Sequence, residues 1–147
     1  MATIENQGVP IQIKMRTTIT QGDQTEEFPY NIVGQLFQKS GQTYIRYQES
    51  AKIKVTLKVT DTGAVHLLRA GETRTKLTFE KEQTHLTHYQ TPYGNVPLSI
   101  HTQQLFCEIK EEVTGQIEVH YQLQANGEVL GDYQLYLEFE KEKDQKK

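Results

Sequence analysis

The stretch Tyr89-Gln90-Thr91-Pro92-Tyr93-Gly94-Asn95-Val96-Pro97 holds two of the four prolines and two of the eight tyrosines of the chain. A β-rich segment flanks it on each side. Pro92 restricts φ to a value that suits a turn, and Gly94 is free to take a positive φ. The stretch is therefore predicted to be the sharpest turn of the fold, between two core strands, and to form the rim of any site that the fold carries.

Outside this turn, apolar and polar residues alternate with a period of two, which is typical of half-buried strands. The clearest run is residues 51–59, where Ile53, Val55 and Leu57 alternate with lysines and a threonine. Short turn signals separate roughly ten such segments, and none has a convincing helical period. Because so many strands leave open edges unless the sheet closes, an all-β, antiparallel up-and-down barrel of about eight to ten strands is predicted, in preference to a sandwich.

Two changes of parity predict irregularities in the strands. The apolar positions move from even numbers at Ile100 to odd numbers at Leu105, which indicates a β-bulge near Gln103-Gln104. Asn126-Gly127 is a strong hairpin signal, but a regular two-residue turn would set Tyr121 opposite a polar residue. A three-residue loop, or a bulge at Gly131, sets it opposite Tyr133 instead. Gly34, inside another strand, predicts a bend or a close approach of two backbones.

Length and composition favour a single soluble domain. The 147 residues are 35% hydrophobic, and no apolar run approaches the ~18 residues that span a bilayer. Cys107 is the only cysteine, so an internal disulfide is excluded. The first residues also do not have the charged and apolar regions of a secretory signal. From these two observations we expect a cytoplasmic location. We expect a flexible N-terminus (residues 1–8), a barrel domain (residues 9–140) and a charged, disordered tail (residues 141–147).

The charge pattern argues against nucleic acid as a partner. The net charge is −3, and the 16 basic and 19 acidic residues are interspersed along the chain. Proteins that bind nucleic acid usually carry a basic surplus or stripe. The nearest candidate is the set Lys52, Lys54 and Lys58, whose alternation with apolar residues predicts the solvated face of a strand. We expect neither a nucleic-acid nor a membrane partner, and a homo-oligomer is left open.

Several short motifs resemble the YwiB-like family of small bacterial proteins. They are Tyr44-Ile45-Arg46-Tyr47-Gln48-Glu49, Val65-His66-Leu67-Leu68-Arg69-Ala70-Gly71, Tyr89-Gln90-Thr91-Pro92-Tyr93-Gly94 and the closing segments Tyr121-Gln122-Leu123 and Leu130-Gly131-Asp132-Tyr133-Gln134-Leu135. The resemblance covers about residues 9–139. It implies a lipocalin-like β-barrel of the calycin type, but no activity and no catalytic residues, because the family is a domain of unknown function. The Gly-x-Trp signature of true lipocalins is absent, since the chain has no tryptophan.

The residue types that usually carry catalysis form no convincing constellation. His85 and His88 fall on opposite faces of a strand, so they do not chelate one ion, although pairing across the turn would bring His101 near Leu86 or His88. Cys107 shares the apolar parity of its strand and is predicted to be a core thiol. We therefore predict no catalytic residue, no metal site and no cofactor.

Arg69 is the most informative polar residue, because it shares the parity of Val65 and Leu67 and is predicted to point into the barrel near one end. A buried arginine requires a carboxylate, an aromatic ring face or an anionic ligand. Two interpretations stay open. In one, Arg69 pairs internally with Glu49 or Glu72 and tyrosines fill the barrel; in the other, it contacts an anionic ligand.

The leading functional hypothesis is a non-enzymatic β-barrel that binds a small amphipathic or anionic ligand in its interior or mouth. The first alternative is a protein-interaction or oligomerisation module with a filled barrel, using strand edges or the outward Phe106 and Tyr136. The second is a barrel-type cyclase or isomerase. The candidate ligand-binding residues are Arg69, Tyr44, Tyr47, Tyr89, Thr91, Tyr93 and His101.

Overall fold

Ten antiparallel strands make up nearly all of residues 8–142, the part of the chain that the structure, a computed structural model, describes. The predicted flexible N-terminus and charged tail lie outside this part, apart from Gly8, Lys141 and Glu142. The strands are β1 (Val9–Gln21), β2 (Gln24–Lys39), β3 (Gln42–Ser50), β4 (Ile53–Val59), β5 (Val65–Ala70), β6 (Arg74–Phe79), β7 (Thr84–Thr91), β8 (Gly94–Lys110), β9 (Thr114–Ala125) and β10 (Glu128–Lys141).

The strands form one sheet in the order β6-β5-β4-β3-β2-β1-β10-β9-β8-β7. Strands that follow each other in the chain are neighbours, and β1 pairs with β10, so the meander curls round on itself. The two sheet edges, β6 and β7, meet without a ladder of backbone hydrogen bonds, although the Thr87 hydroxyl donates to the Lys76 carbonyl. The predicted all-β, antiparallel up-and-down barrel is confirmed, and it is closed except for this seam.

The inward side chains fill the barrel because every strand alternates between the lumen and solvent. Ile13 pairs with Phe139, and Ile45 pairs with Leu57, so that buried residues lie opposite one another on the same face. Burying these apolar side chains is the main contribution to stability. The largest fully buried side chains are Phe79, Ile11, Ile13, Leu36, Ile45, Leu57, Ile100, Ile117 and Leu137.

Both irregularities predicted from parity are confirmed. The β8–β9 register shifts between Thr102 and Gln104, which restores Leu105 to the lumen after Ile100. The β9–β10 register shifts between Val129 and Gly131, and Tyr121 then lies opposite Tyr133. The rings of these two tyrosines stack with centroids 5.1 Å apart. In each strand the extra residue keeps the apolar side chains on one face.

The barrel is uneven at the end formed by the turns at residues 22–23, 51–52, 71–73, 92–93 and 126–127, which we call the mouth. β2 pairs with β3 only from Gln35 to Lys39, so residues 24–34 of β2 pair with β1 alone. The separation begins at Gly34, where a Cβ would meet the Arg46 carbonyl at 2.5 Å. The predicted close approach at this glycine is confirmed, and the split between the upper parts of β2 and β3 begins there.

The central turn, the one within residues 89–97, has the positive φ predicted at Gly94, but it is not the sharpest turn and does not join two core strands. Other hairpins, such as β1–β2, β2–β3 and β9–β10, also have two-residue turns, and β7 is a sheet edge without a fully buried residue. Thr91 pairs with Gly94, leaving Pro92 and Tyr93 as a two-residue turn, and Gly94 has a φ of 118°. This turn lies at the mouth.

Within residues 8–142, no helix has the length and apolar character needed to cross a bilayer.

Candidate functional site

The mouth contains a cluster of polar and aromatic side chains that face the lumen. Arg69 pairs with the buried Val55 across the β4–β5 ladder and therefore points inward, as predicted. Tyr30 on β2 pairs with the buried Met15 and therefore also points inward. We call Tyr30, Tyr47, Glu49, Arg69 and Tyr89 the mouth cluster.

The centre of the mouth cluster is an ion pair between Arg69 and Glu49. Arg69 Nε donates to Glu49 Oε1 at 2.8 Å, and Nη2 lies 2.7 Å from the same oxygen. Glu49 shares the inward parity of the buried Ile45 and Tyr47 on β3, and it lies in a β-bulge between Gln48 and Ser50 without a ladder partner. Of the two internal partners considered for Arg69, Glu49 is therefore the one that the structure shows.

The pair is open to solvent on one side. The Arg69 side chain is 44% exposed, compared with 27% for Glu49. A guanidinium has five N–H donors in a planar fork. Both contacts with Glu49 go to a single oxygen, and Nη1 of Arg69 has no hydrogen-bond partner among residues 8–142. The hydrogen bond with Glu49 raises the pKa of Arg69 further, so the guanidinium stays charged.

Tyr30 on β2 and Tyr47 on β3 lie next to this pair. Burial raises the pKa of Tyr47 well above its usual range, and the nearby Tyr30 and Glu49 add to the effect. Burial and the Glu49 carboxylate also raise the pKa of Tyr30. Both phenols therefore keep their protons at neutral pH, and act as hydrogen-bond donors rather than as bases.

Three apolar or aromatic side chains near the mouth, one of them Tyr89 of the mouth cluster, are partly exposed. Phe28 is 45% exposed, Val96 39% and Tyr89 37%, although all three lie on the inward parity of their strands. At the same end of the barrel is a concavity of about 490 Å³, lined by Arg69, Ile53 and the turns at residues 50–52 and 71–73. Such a site offers apolar surface together with a few polar groups, as small-molecule sites do.

The structure brings together three of the candidate residues, Arg69, Tyr47 and Tyr89, and leaves four apart. Tyr44 lies on the outer face, where Lys58 Nζ is 5.8 Å from its ring centroid. Tyr93 is 99% exposed at the tip of its turn. Thr91 accepts a hydrogen bond from the Tyr93 N–H and donates to the Gly94 carbonyl, so its hydroxyl holds the turn.

The expected position of His101 is wrong. His101 pairs with Thr84, and its Nδ1 lies 2.9 Å from the Thr84 hydroxyl, on the outer face. Pairing with Leu86 or His88 would require the centre of the turn to lie one or two residues further along the chain than it does. Another histidine of this hairpin, His85, contacts Glu80, with Nε2 2.7 Å from Oε1 of the carboxylate. Within residues 8–142, no group of three or more His, Cys, Asp and Glu residues could hold a metal ion.

Cys107 faces the lumen on β8 and is half-buried, and burial raises its pKa to about 11. The thiol is therefore protonated at neutral pH, which makes it a poor nucleophile.

We expect this thiol to make the protein less stable at alkaline pH. The folded state keeps the proton up to about pH 11, whereas an unfolded chain loses it near 9.0. The unfolded state alone is therefore ionised in this interval, and the free energy of unfolding falls as the pH rises through it. Urea denaturation at several pH values checks this: the wild type should lose more stability between pH 9.0 and 11 than Cys107→Ala. Equal slopes would contradict the prediction.

A larger concavity, of about 710 Å³, lies on the outer face of β1, β8, β9 and β10. Its lining includes Lys14, Lys110, Glu108 and Glu138, which belong to the solvated parity of their strands. It contains none of the candidate residues, and its mixed charges form no constellation that indicates a chemistry.

Sequence reasoning did not nominate Tyr30, Glu49 or Phe28 as ligand-contacting residues. The inward parity of Tyr30 and Phe28 on β2 was a usable signal. Glu49 is predicted from the sequence only as a partner for Arg69, although it too shares the inward parity of Ile45 and Tyr47 on its strand.

The comparisons with known proteins agree with this architecture. The family described as "Domain of unknown function (DUF1934)" matches residues 13–137. The chain belongs to this family. It is 23% identical over 125 residues to the "Uncharacterized beta-barrel protein YwiB" of Bacillus subtilis (strain 168), covering 83% of this chain and 87% of the relative. The crystal structure of the ywiB protein superposes with a TM-score of 0.83 at 20% identity, over 95% of this chain and 96% of that one.

Membership of the DUF1934 family confirms the resemblance inferred from the motifs. At this level of identity the solved structure supports the fold alone, and the family description gives no activity.

Proposed function

We propose that this DUF1934 protein is a non-enzymatic binding protein that takes a small amphipathic ligand with an anionic group at the mouth of its barrel. The lipocalin-like character implied by the resemblance, and a cytoplasmic location, are part of this proposal. One observation carries it: Arg69 faces the lumen in the mouth, is 44% exposed, and its Nη1 has no protein partner among residues 8–142.

The surroundings of Arg69 support this ligand class. An anionic group would contact the outer donors of the guanidinium, since a planar fork binds carboxylate and phosphate groups well. The apolar part of the ligand would cover Phe28, Tyr89 and Val96, which are partly exposed to solvent in the protein without a ligand. The mouth is favoured over the deeper lumen because buried side chains such as Leu57 and Phe79 already occupy the lumen.

Catalysis at this site is less well supported. A cyclase or isomerase requires a general acid or base with a pKa near the working pH. Tyr30 and Tyr47 are titratable groups of the mouth cluster with perturbed pKa values, and both shift away from neutrality. Binding by hydrogen bonds and apolar contact needs no such group.

The test uses the amphipathic anion 1-anilinonaphthalene-8-sulfonate, titrated by fluorescence against the folded protein. We expect one saturable site, weakened at least about tenfold by Arg69→Met, because a hydrogen bond to a charged group contributes about 1.5–3 kcal/mol. Glu49→Gln removes the carboxylate that competes for the guanidinium, so it should strengthen binding. Arg46→Met, on the outer face where the guanidinium lies 5.3 Å from the Phe37 ring centroid, is the matched control.

Equal affinity in the Arg69→Met and Arg46→Met variants would overturn the proposal, as would weaker binding in Glu49→Gln. Native mass spectrometry of protein purified from its own host provides an independent check. A co-purifying small molecule that is lost in Arg69→Met supports the proposal.

A further inference from the structure

The lower part of β8, residues 104–110, is a sheet edge with one ladder partner. These residues pair with β9, whereas β7 pairs with β8 only as far as His101. The β6–β7 connection adds a contact at Thr102, where Glu82 and Gln83 exchange backbone hydrogen bonds with it. Beyond that point, no ladder on the other side of β8 involves the described residues 8–142.

This edge lacks the protections found on other open edges of the sheet. Residues 24–34 of β2, which have no partner on the β3 side, include Pro29, Glu26 and Glu27. Residues 94–98 of β8, which precede the pairing with β9, include Pro97. Proline removes a donor, and like charges repel a second copy of the same edge, so both devices prevent pairing. Residues 104–110 have no proline, and their single glutamate and single lysine cancel in charge.

The sequence of this edge is self-complementary about Cys107. In an antiparallel pair of two identical strands centred there, Leu105 lies opposite Ile109 of the second copy, and Cys107 lies opposite its equivalent. Phe106, which is 49% exposed, then lies opposite Glu108. Odd residues face the lumen in both copies, so half-buried apolar side chains meet apolar side chains.

We propose that two copies of this chain associate through β8, antiparallel, with residues 104–110 of each copy in register about Cys107. The contact is isologous and closes as a dimer, since each edge is used once. The seven residues extend the sheet over about 20 Å, at a rise of about 3.3 Å per residue. The face is separate from the mouth, so the ligand site is accessible in the dimer.

Sedimentation equilibrium over a range of protein concentrations tests the association. Two variants of Phe106 are compared, which both remove the aromatic ring but introduce charges of opposite sign. Phe106→Glu places a carboxylate opposite Glu108 of the second copy, whereas Phe106→Lys places an ammonium there. We expect the wild type to approach twice the monomer mass of 17.0 kDa, and Phe106→Glu to dimerise at least about tenfold more weakly than Phe106→Lys. A wild type that stays monomeric, or two variants with equal dissociation constants, overturns the proposal.

Oxidative cross-linking with copper phenanthroline tests the register. Cys107 of the two copies would lie within the Cα separation of about 4.4–6.8 Å that a disulfide needs. The wild type should therefore form covalent dimers much faster than a control that carries Cys107→Ser and Thr56→Cys, with the cysteine on the fully paired strand β4.

In the Cys107→Ser background, Leu105→Cys and Ile109→Cys should cross-link when mixed but not separately. The opposite pattern, or equal rates for the wild type and the Thr56→Cys control, overturns the proposed register. Folding of each variant is checked by circular dichroism before the comparison.

Discussion

Replacing Gly34 by alanine is expected to destabilise the barrel by about 3 kcal/mol, the upper part of the usual range for overpacking. The new Cβ would lie 2.5 Å from the Arg46 carbonyl oxygen and 2.7 Å from Ile13 Cδ1. The carbonyl belongs to the backbone of β3, so relief of the contact requires two strands to move apart. This happens at the point where β2 separates from β3, and we expect the β2–β3 pairing to weaken first.

Thermal unfolding followed by circular dichroism measures this effect, and a loss of this size corresponds to roughly 6–12 °C in Tm for a domain of this length. Gly71→Ala is the matched control, because its Cβ would meet its nearest neighbours, Ile53 Cγ1 and the Lys52 carbonyl, at 3.2 Å. We expect the control to lose less than about 1 kcal/mol. If the two variants lose equal stability, close backbone approach is not the reason for the glycine.

Replacing Phe79 by alanine is expected to lower the free energy of unfolding by about 3–5 kcal/mol. The ring is fully buried at the end of β6, and its centroid lies 4.7 Å from that of Tyr121. Tyr121 in turn stacks on Tyr133, so the three rings connect β6 with β9 and β10 through the lumen. This contact holds one edge of the seam without any backbone ladder.

Urea denaturation measures the global loss, and hydrogen exchange locates it. We expect the Phe79→Ala substitution to increase the exchange rates of the β6 and β7 amides, relative to the wild type, more than those of β1 and β10, which are paired on both sides. Leu86→Ala on the neighbouring strand is the control, since its side chain is 73% exposed and its loss should cost less than about 0.5 kcal/mol. A uniform change in exchange across the sheet would contradict a role for Phe79 at the seam.

Most of the local structure of this protein could be predicted from its sequence, because side chains on a strand alternate between two faces. The parity change between Ile100 and Leu105 predicted a bulge, and the structure has it. The composition of the central turn predicted a positive φ at Gly94, which is observed. Both features are local, since each depends on residues that are near neighbours in the chain.

The candidate site was less predictable, because parity states which face a residue is on but not which strand lies opposite. The inward direction of Arg69 followed from parity, but parity did not decide between Glu49 and Glu72, because it does not say which strand or turn lies within reach of the guanidinium. The predicted neighbours of His101 were wrong because the position of the turn sets the register of the whole hairpin. A shift of the turn by one residue changes every cross-strand partner by two. Parity placed Tyr30 inside the barrel, but only the fold placed it next to Tyr47 and Glu49.

By itself, the sequence determined the all-β class, the face of each side chain and the approximate position of each turn, because these depend on local periodicity and on the chemistry of proline and glycine. Only the tertiary structure decided the rest. It set the seam between β6 and β7 rather than between the first and last strands, and it brought Tyr30, Glu49, Arg69 and Tyr89 into one mouth. The physical reason is that closure of a barrel sums the registers of all ten strands, and no single stretch of sequence contains that sum.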